Sequence, residues 1–145
     1  MSTTILNKSL HKAYVWLHDV DDKLGTANLD SALAALRAVL HEIRNHLPIN
    51  DSAHLSEQFP TLIRGLYYEN WKPDVVPIKD RSSEAFTQNV RRALYMHPEI
   101  SPVKAILAVF DTLSIHIGAE EIDKILAILP KNIRRILTEV EYIEG

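Results

Sequence analysis

Apolar side chains recur along this chain with the spacing of helices rather than strands. Leu6, Leu10, Ala13, Leu17, Val20 and Leu24 form a first stripe three or four residues apart, the repeat of one helix face. Gly25 follows as a C-terminal stop. Asp30 or Ser31 then caps a second helix, whose stripe is Leu33, Leu36, Leu40, Ile43 and Leu47 and whose end is set by Pro48. Asn50 or Asp51 begins a third. Further along, Ser101 reads as a cap and Pro102 as the first helical residue, a favoured place for proline. Val103, Ile106, Phe110, Leu113 and Ile117 make the stripe there, Gly118 the stop, and Ala119-Glu120-Glu121 the start of the next helix. Pro60 and Pro130 interrupt apolar patterns. Each must kink or split its helix, because proline lacks the N–H and its ring clashes with the preceding turn.

The two halves of the pattern coincide when the chain is shifted by 70 residues. Residues 11–67 then lie on 81–137 without a gap and share Val20/Val90, Leu24/Leu94, Ser31/Ser101, Ala35/Ala105, Ala38/Ala108, Val39/Val109, His46/His116, Pro60/Pro130, Ile63/Ile133 and Arg64/Arg134. Pairs such as Trp16/Phe86, Leu40/Phe110 and Phe59/Leu129 keep an apolar side chain. Helices, breaks and both prolines stay in register together, which chance alignment of two amphipathic stretches does not produce. The expected architecture is all-α: one domain over 1–145, built as a helical bundle of two tandem three- to four-helix repeats with approximate internal two-fold symmetry. Unit one covers 6–67 and unit two 81–138. The connector, 68–80, carries two prolines and the Val75-Val76 pair and reads as extended chain packed on the bundle surface. The acidic tail from Glu139 is expected to fray.

Composition narrows the function classes. The chain has 145 residues, 46% of them hydrophobic, which is enough for a real core. The formal net charge is −3, opposite in sign to a basic nucleic-acid binder. There is no cysteine, so disulfides, thiolate catalysis and cysteine-based metal sites are excluded, in keeping with a reducing cytoplasm. No apolar run approaches the ~20 residues that span a bilayer, and the N-terminus lacks the apolar core of a signal peptide. Integral membrane association is not expected.

Candidate chemistry is sparse. Seven histidines are present, but His41 and His46 do not share a helix face, His11 and His18 lie two turns apart, and His54 and His97 are isolated, so no metal is expected. His46 and His116 occupy repeat-equivalent helix C-termini, where an imidazole meets the dipole favourably. Glu120 and Glu121 suit a first helical turn. Asp19, Asp21 and Asp22 read as a solvated face. No nucleophile elbow, Walker loop or dinucleotide-binding turn occurs, and no cofactor is implied. Arg91-Arg92 and Lys131 with Arg134-Arg135 form local basic clusters that could meet phosphates. The most distinctive segment is Arg64-Gly65-Leu66-Tyr67-Tyr68-Glu69-Asn70-Trp71, whose aromatics have no counterpart in unit two. Arg64, Tyr67, Tyr68 and Trp71 could line a groove for a partner, or could clamp the connector onto the helices. Arg64 and Arg134, at equivalent places, could bind a carboxylate or phosphate or make internal ion pairs.

Together, the helix Ala35-Leu36-Arg37-Ala38-Val39-Leu40-His41, the Phe59-Pro60 break and the segment Ile63 to Trp71 resemble the bacterial domain-of-unknown-function family numbered 2267, over roughly residues 10–138. The resemblance implies a small helical bacterial protein of the cytoplasm and brings no activity, cofactor or catalytic residue. The function expected first is a non-enzymatic binding or regulatory module for a protein or small ligand. Nucleic-acid binding through the second unit's arginines and an enzyme with an unrecognised site are the alternatives.

Overall fold

The computed structural model describes residues 3–144, with the backbone alone for 138–144. It contains α1 (Thr4–Leu24), α2 (Leu29–His46), α3 (Ile49–Ser56), α4 (Thr61–Tyr68), a 3-10 turn (Pro73–Val75), α5 (Ser83–Ala93), α6 (Pro102–Ile117), α7 (Ala119–Ile128) and α8 (Lys131–Glu144). No strand occurs among the described residues. Among the described residues four α-helices precede the connector and four follow it.

Helix boundaries follow local chemistry. Gly25 ends α1 in the left-handed conformation at φ 69°, and its N–H bonds the Asp21 carbonyl. The cap of α2 is Asn28, which accepts from the Asp30 N–H, so the helix starts slightly before the expected Asp30 or Ser31. Likewise α3 begins at Ile49, directly after Pro48, rather than at Asn50 or Asp51. Ser82 and Ser101 cap α5 and α6 with their hydroxyls, and Pro102 opens α6. The two interior prolines split their helices and do not merely kink them. Pro60 holds φ −58° and ψ 156° at the head of α4, an extended conformation that cannot continue α3. Pro130 stands in the same place before α8.

At the centre of the bundle, α2 packs against α1, α6, α5 and α4. Its burial extends nearly all round: Ala32, Ala35, Leu36, Ala38, Val39, Leu40 and Ile43 all lie in the core. Small residues on its flanks let neighbouring helices approach closely. Contributions from α1, α3 to α7 and the start of α8 complete one continuous apolar cluster, from Trp16 to Ile133. The stripe of α1 differs from expectation at its N-terminal end. Leu6 and Leu10 are exposed, and burial starts at Trp16. The physical reason is length: α1 has 21 residues, while α6 ends at Ile117, where His116 lies level with Trp16 and Asp19. The first turns of α1 therefore extend beyond α6. The connector is partly folded rather than simply extended, with its 3-10 turn, a cis Val76–Pro77 bond and the Ile78 N–H donating to the Asn45 carbonyl at the end of α2.

Candidate functional site

The segment from Arg64 to Trp71 forms α4 and the first residues of the connector, and two layers of polar contacts hold it. From α3, Ser52 and Ser56 face the tyrosines. The Tyr67 hydroxyl lies 2.9 Å from Ser52 Oγ. Ser56 Oγ lies 2.9 Å from the Ala53 carbonyl and 2.7 Å from the Tyr68 hydroxyl, which in turn lies 3.4 Å from the Ser52 carbonyl. Burial pushes the Tyr67 phenol well above its ordinary range, and the Ser52 contact only partly opposes this.

From α2, three polar side chains reach the end of α4. His41 Nε2 lies 2.7 Å from the Leu66 carbonyl. Arg44 Nη1 donates to the Tyr67 carbonyl at 3.0 Å and the Glu69 carbonyl at 2.6 Å, and its Nε and Nη2 reach Asn45 Oδ1. Arg37 Nε pairs with Glu69 Oε1 at 3.0 Å. A helix C-terminus leaves its last carbonyls without intrahelical donors and carries partial negative charge. Arg37, His41 and Arg44 lie along one face of α2 and meet that end of α4 with donors. Burial is the main cause that lowers the His41 imidazole below its usual range. The Leu66 carbonyl opposes the shift and the Arg44 charge adds to it. Burial lowers Arg44 as well, but a guanidinium stays charged in proteins.

The aromatic rings form a ladder through the protein. His116 stacks on Trp16 with centroids 4.8 Å apart, Trp16 meets Phe59 edge-on at 5.6 Å, and Phe59 meets Tyr67 at 5.3 Å. Tyr67 meets Tyr68 at 5.1 Å, and Tyr68 meets Trp71 at 5.0 Å with a 50° tilt. Edge-on and tilted pairs of this kind add attraction beyond their buried area.

Of the four residues singled out in the sequence, Tyr67 is fully buried, Tyr68 and Trp71 are partly exposed, and Arg64 lies at the surface. The Arg64 guanidinium donates to the Ser56 carbonyl at 3.0 Å and the Phe59 carbonyl at 3.2 Å. It thus serves the end of α3, whereas its counterpart Arg134 pairs with Asp123 at 3.3 Å. In the first half Ala53 occupies the position equivalent to Asp123, so Arg64 finds backbone acceptors in place of a carboxylate. The Trp71 indole N–H is buried with no acceptor among the described residues. Gly65 sits mid-helix on the exposed side, and a Cβ built there meets nothing within 4 Å. Leu62, one turn before it, is exposed as well.

A second polar cluster had no sequence signal. His46 donates from Nε2 to Glu42 Oε2 at 3.0 Å, and Asn89 Nδ2 donates to the same oxygen at 2.9 Å. Arg92 Nη1 donates to Asn89 Oδ1 and so fixes the amide's orientation. Glu42 and His46 are buried, the imidazole rests against Phe86, and its Nδ1 has no partner among the described residues. His46 is thus a core residue joining α2 to α5. His116 stands, like His46, in the last turn of its helix, and there it bonds Asp19 at 2.6 Å. Asp19 is therefore occupied rather than free on a solvated face, and Asp21 accepts from Thr26. Glu120 and Glu121 do lie in the first turn of α7. Among the described residues no three His, Asp or Glu side chains gather as metal ligands. No helix among the described residues is long and apolar enough to cross a membrane.

An all-α bundle with a braced aromatic segment at the end of α4 is the class of protein these features define. Residues 13–136 match the family described as "Uncharacterized conserved protein (DUF2267)", and the chain belongs to that family. No curated protein matches the chain.

Proposed function

We propose that the protein is a non-enzymatic binding or regulatory module for a protein or small ligand, working in the bacterial cytoplasm, and that its contact surface is the outer side of α4 with the start of the connector. Arg64, Tyr68 and Trp71 form this surface, Leu62 and Gly65 extend it, and Tyr67 supports it from beneath. The observation that carries the reading is Gly65. A glycine inside a helix costs about 1 kcal/mol relative to alanine, yet nothing in the fold requires it, since its φ is ordinary and a Cβ would stand in open space. A bare stretch of helix beside an exposed leucine and two braced aromatics is what a closely approaching partner needs. The Trp71 indole N–H, which has no acceptor among the described residues, lies at the same place, and local departures from an otherwise consistent fold gather at functional sites. We also propose that the chain is a duplicated four-helix unit with approximate internal two-fold symmetry, in which only the first copy carries this surface. The matching breaks at Pro60 and Pro130 support it.

The test compares affinity capture from a bacterial lysate by the parent and by Gly65→Gln, with Lys104→Gln as a distant surface control. A component retained by parent and control and lost by Gly65→Gln supports the reading. Retention by all three, or no component retained above background by the parent, overturns it.

A further inference from the structure

We draw no further inference here: the strongest candidate, the strip of exposed apolar side chains formed by Leu6, Leu10 and Tyr14 on the first half of α1, is an unpartnered helix face, and nothing in the structure shows what covers it.

Discussion

Replacing Arg44 with methionine should cost the protein about 3 kcal/mol. The guanidinium is buried and supplies hydrogen bonds to the Tyr67 and Glu69 carbonyls at the end of α4. Hydrogen bonds from charged groups contribute about 1.5–3 kcal/mol each, and a cation at a helix C-terminus adds about 0.3–2 kcal/mol. These terms overlap, because the same two bonds carry much of the dipole interaction. Methionine refills the space of the arginine stem, so the loss is that of the polar contacts rather than of a cavity. For a chain of this size about 3 kcal/mol lowers the melting temperature by roughly 6–12 °C. Urea denaturation followed by circular dichroism reads the free energy directly. Arg44→Lys separates charge from geometry: a single ammonium cannot reproduce the fork, and about half the loss should remain. A loss below about 1 kcal/mol in Arg44→Met, or an equal loss in both variants, would refute the view that Arg44 holds the end of α4.

Further outcomes follow from the same contacts. Gly65→Ala should raise stability by about 0.5–1 kcal/mol, through helix propensity alone; a loss on urea denaturation would mean that the position is not open. Asn89→Ala leaves Glu42 with one fewer donor in the core and should cost about 1–3 kcal/mol by the same measurement; a neutral result would remove the link between α2 and α5. His41 makes stability depend on pH. Its folded-state imidazole is held below the usual value of 6.5, so the unfolded chain binds the proton more readily. Its contribution is therefore complete above 6.5 and is lost as pH falls below that value toward the depressed folded-state one. Melting temperatures measured from pH 7.5 down to 5 should fall less steeply in His41→Gln than in the parent, and equal slopes would exclude His41 as a source.

Much of the fold is visible in the order of residues. Helical spacing, Gly25, Ser101 with Pro102, and the two prolines mark the elements, because capping and chain breaking are local chemistry. The exposed Leu6 and Leu10 were not separable from core leucines, since periodicity records a helix's apolar face and not how far its neighbours reach. The buried Glu42–His46–Asn89 cluster had no signal either. Its partners lie on α2 and α5, and only the central position of α2 makes a polar side chain there a buried one. The aromatic segment stood out by composition, but its division into buried Tyr67 and partly exposed Tyr68 and Trp71 depends on the serines of α3 and the arginines of α2. For Arg64 the sequence offers a carboxylate or phosphate to bind or an internal ion pair, and its backbone partners at the end of α3 follow instead from the Pro60 break.

The claim that the outer side of α4 is a contact surface is tested most directly by site-specific photo-crosslinking in living bacteria. A benzophenone side chain is placed at Leu62 and, as a control, at the exposed Lys104. The account predicts a discrete adduct from position 62 that disappears when Gly65→Gln is introduced and is not formed from position 104. No adduct from position 62 beyond that of the control, or one that survives Gly65→Gln unchanged, would contradict it.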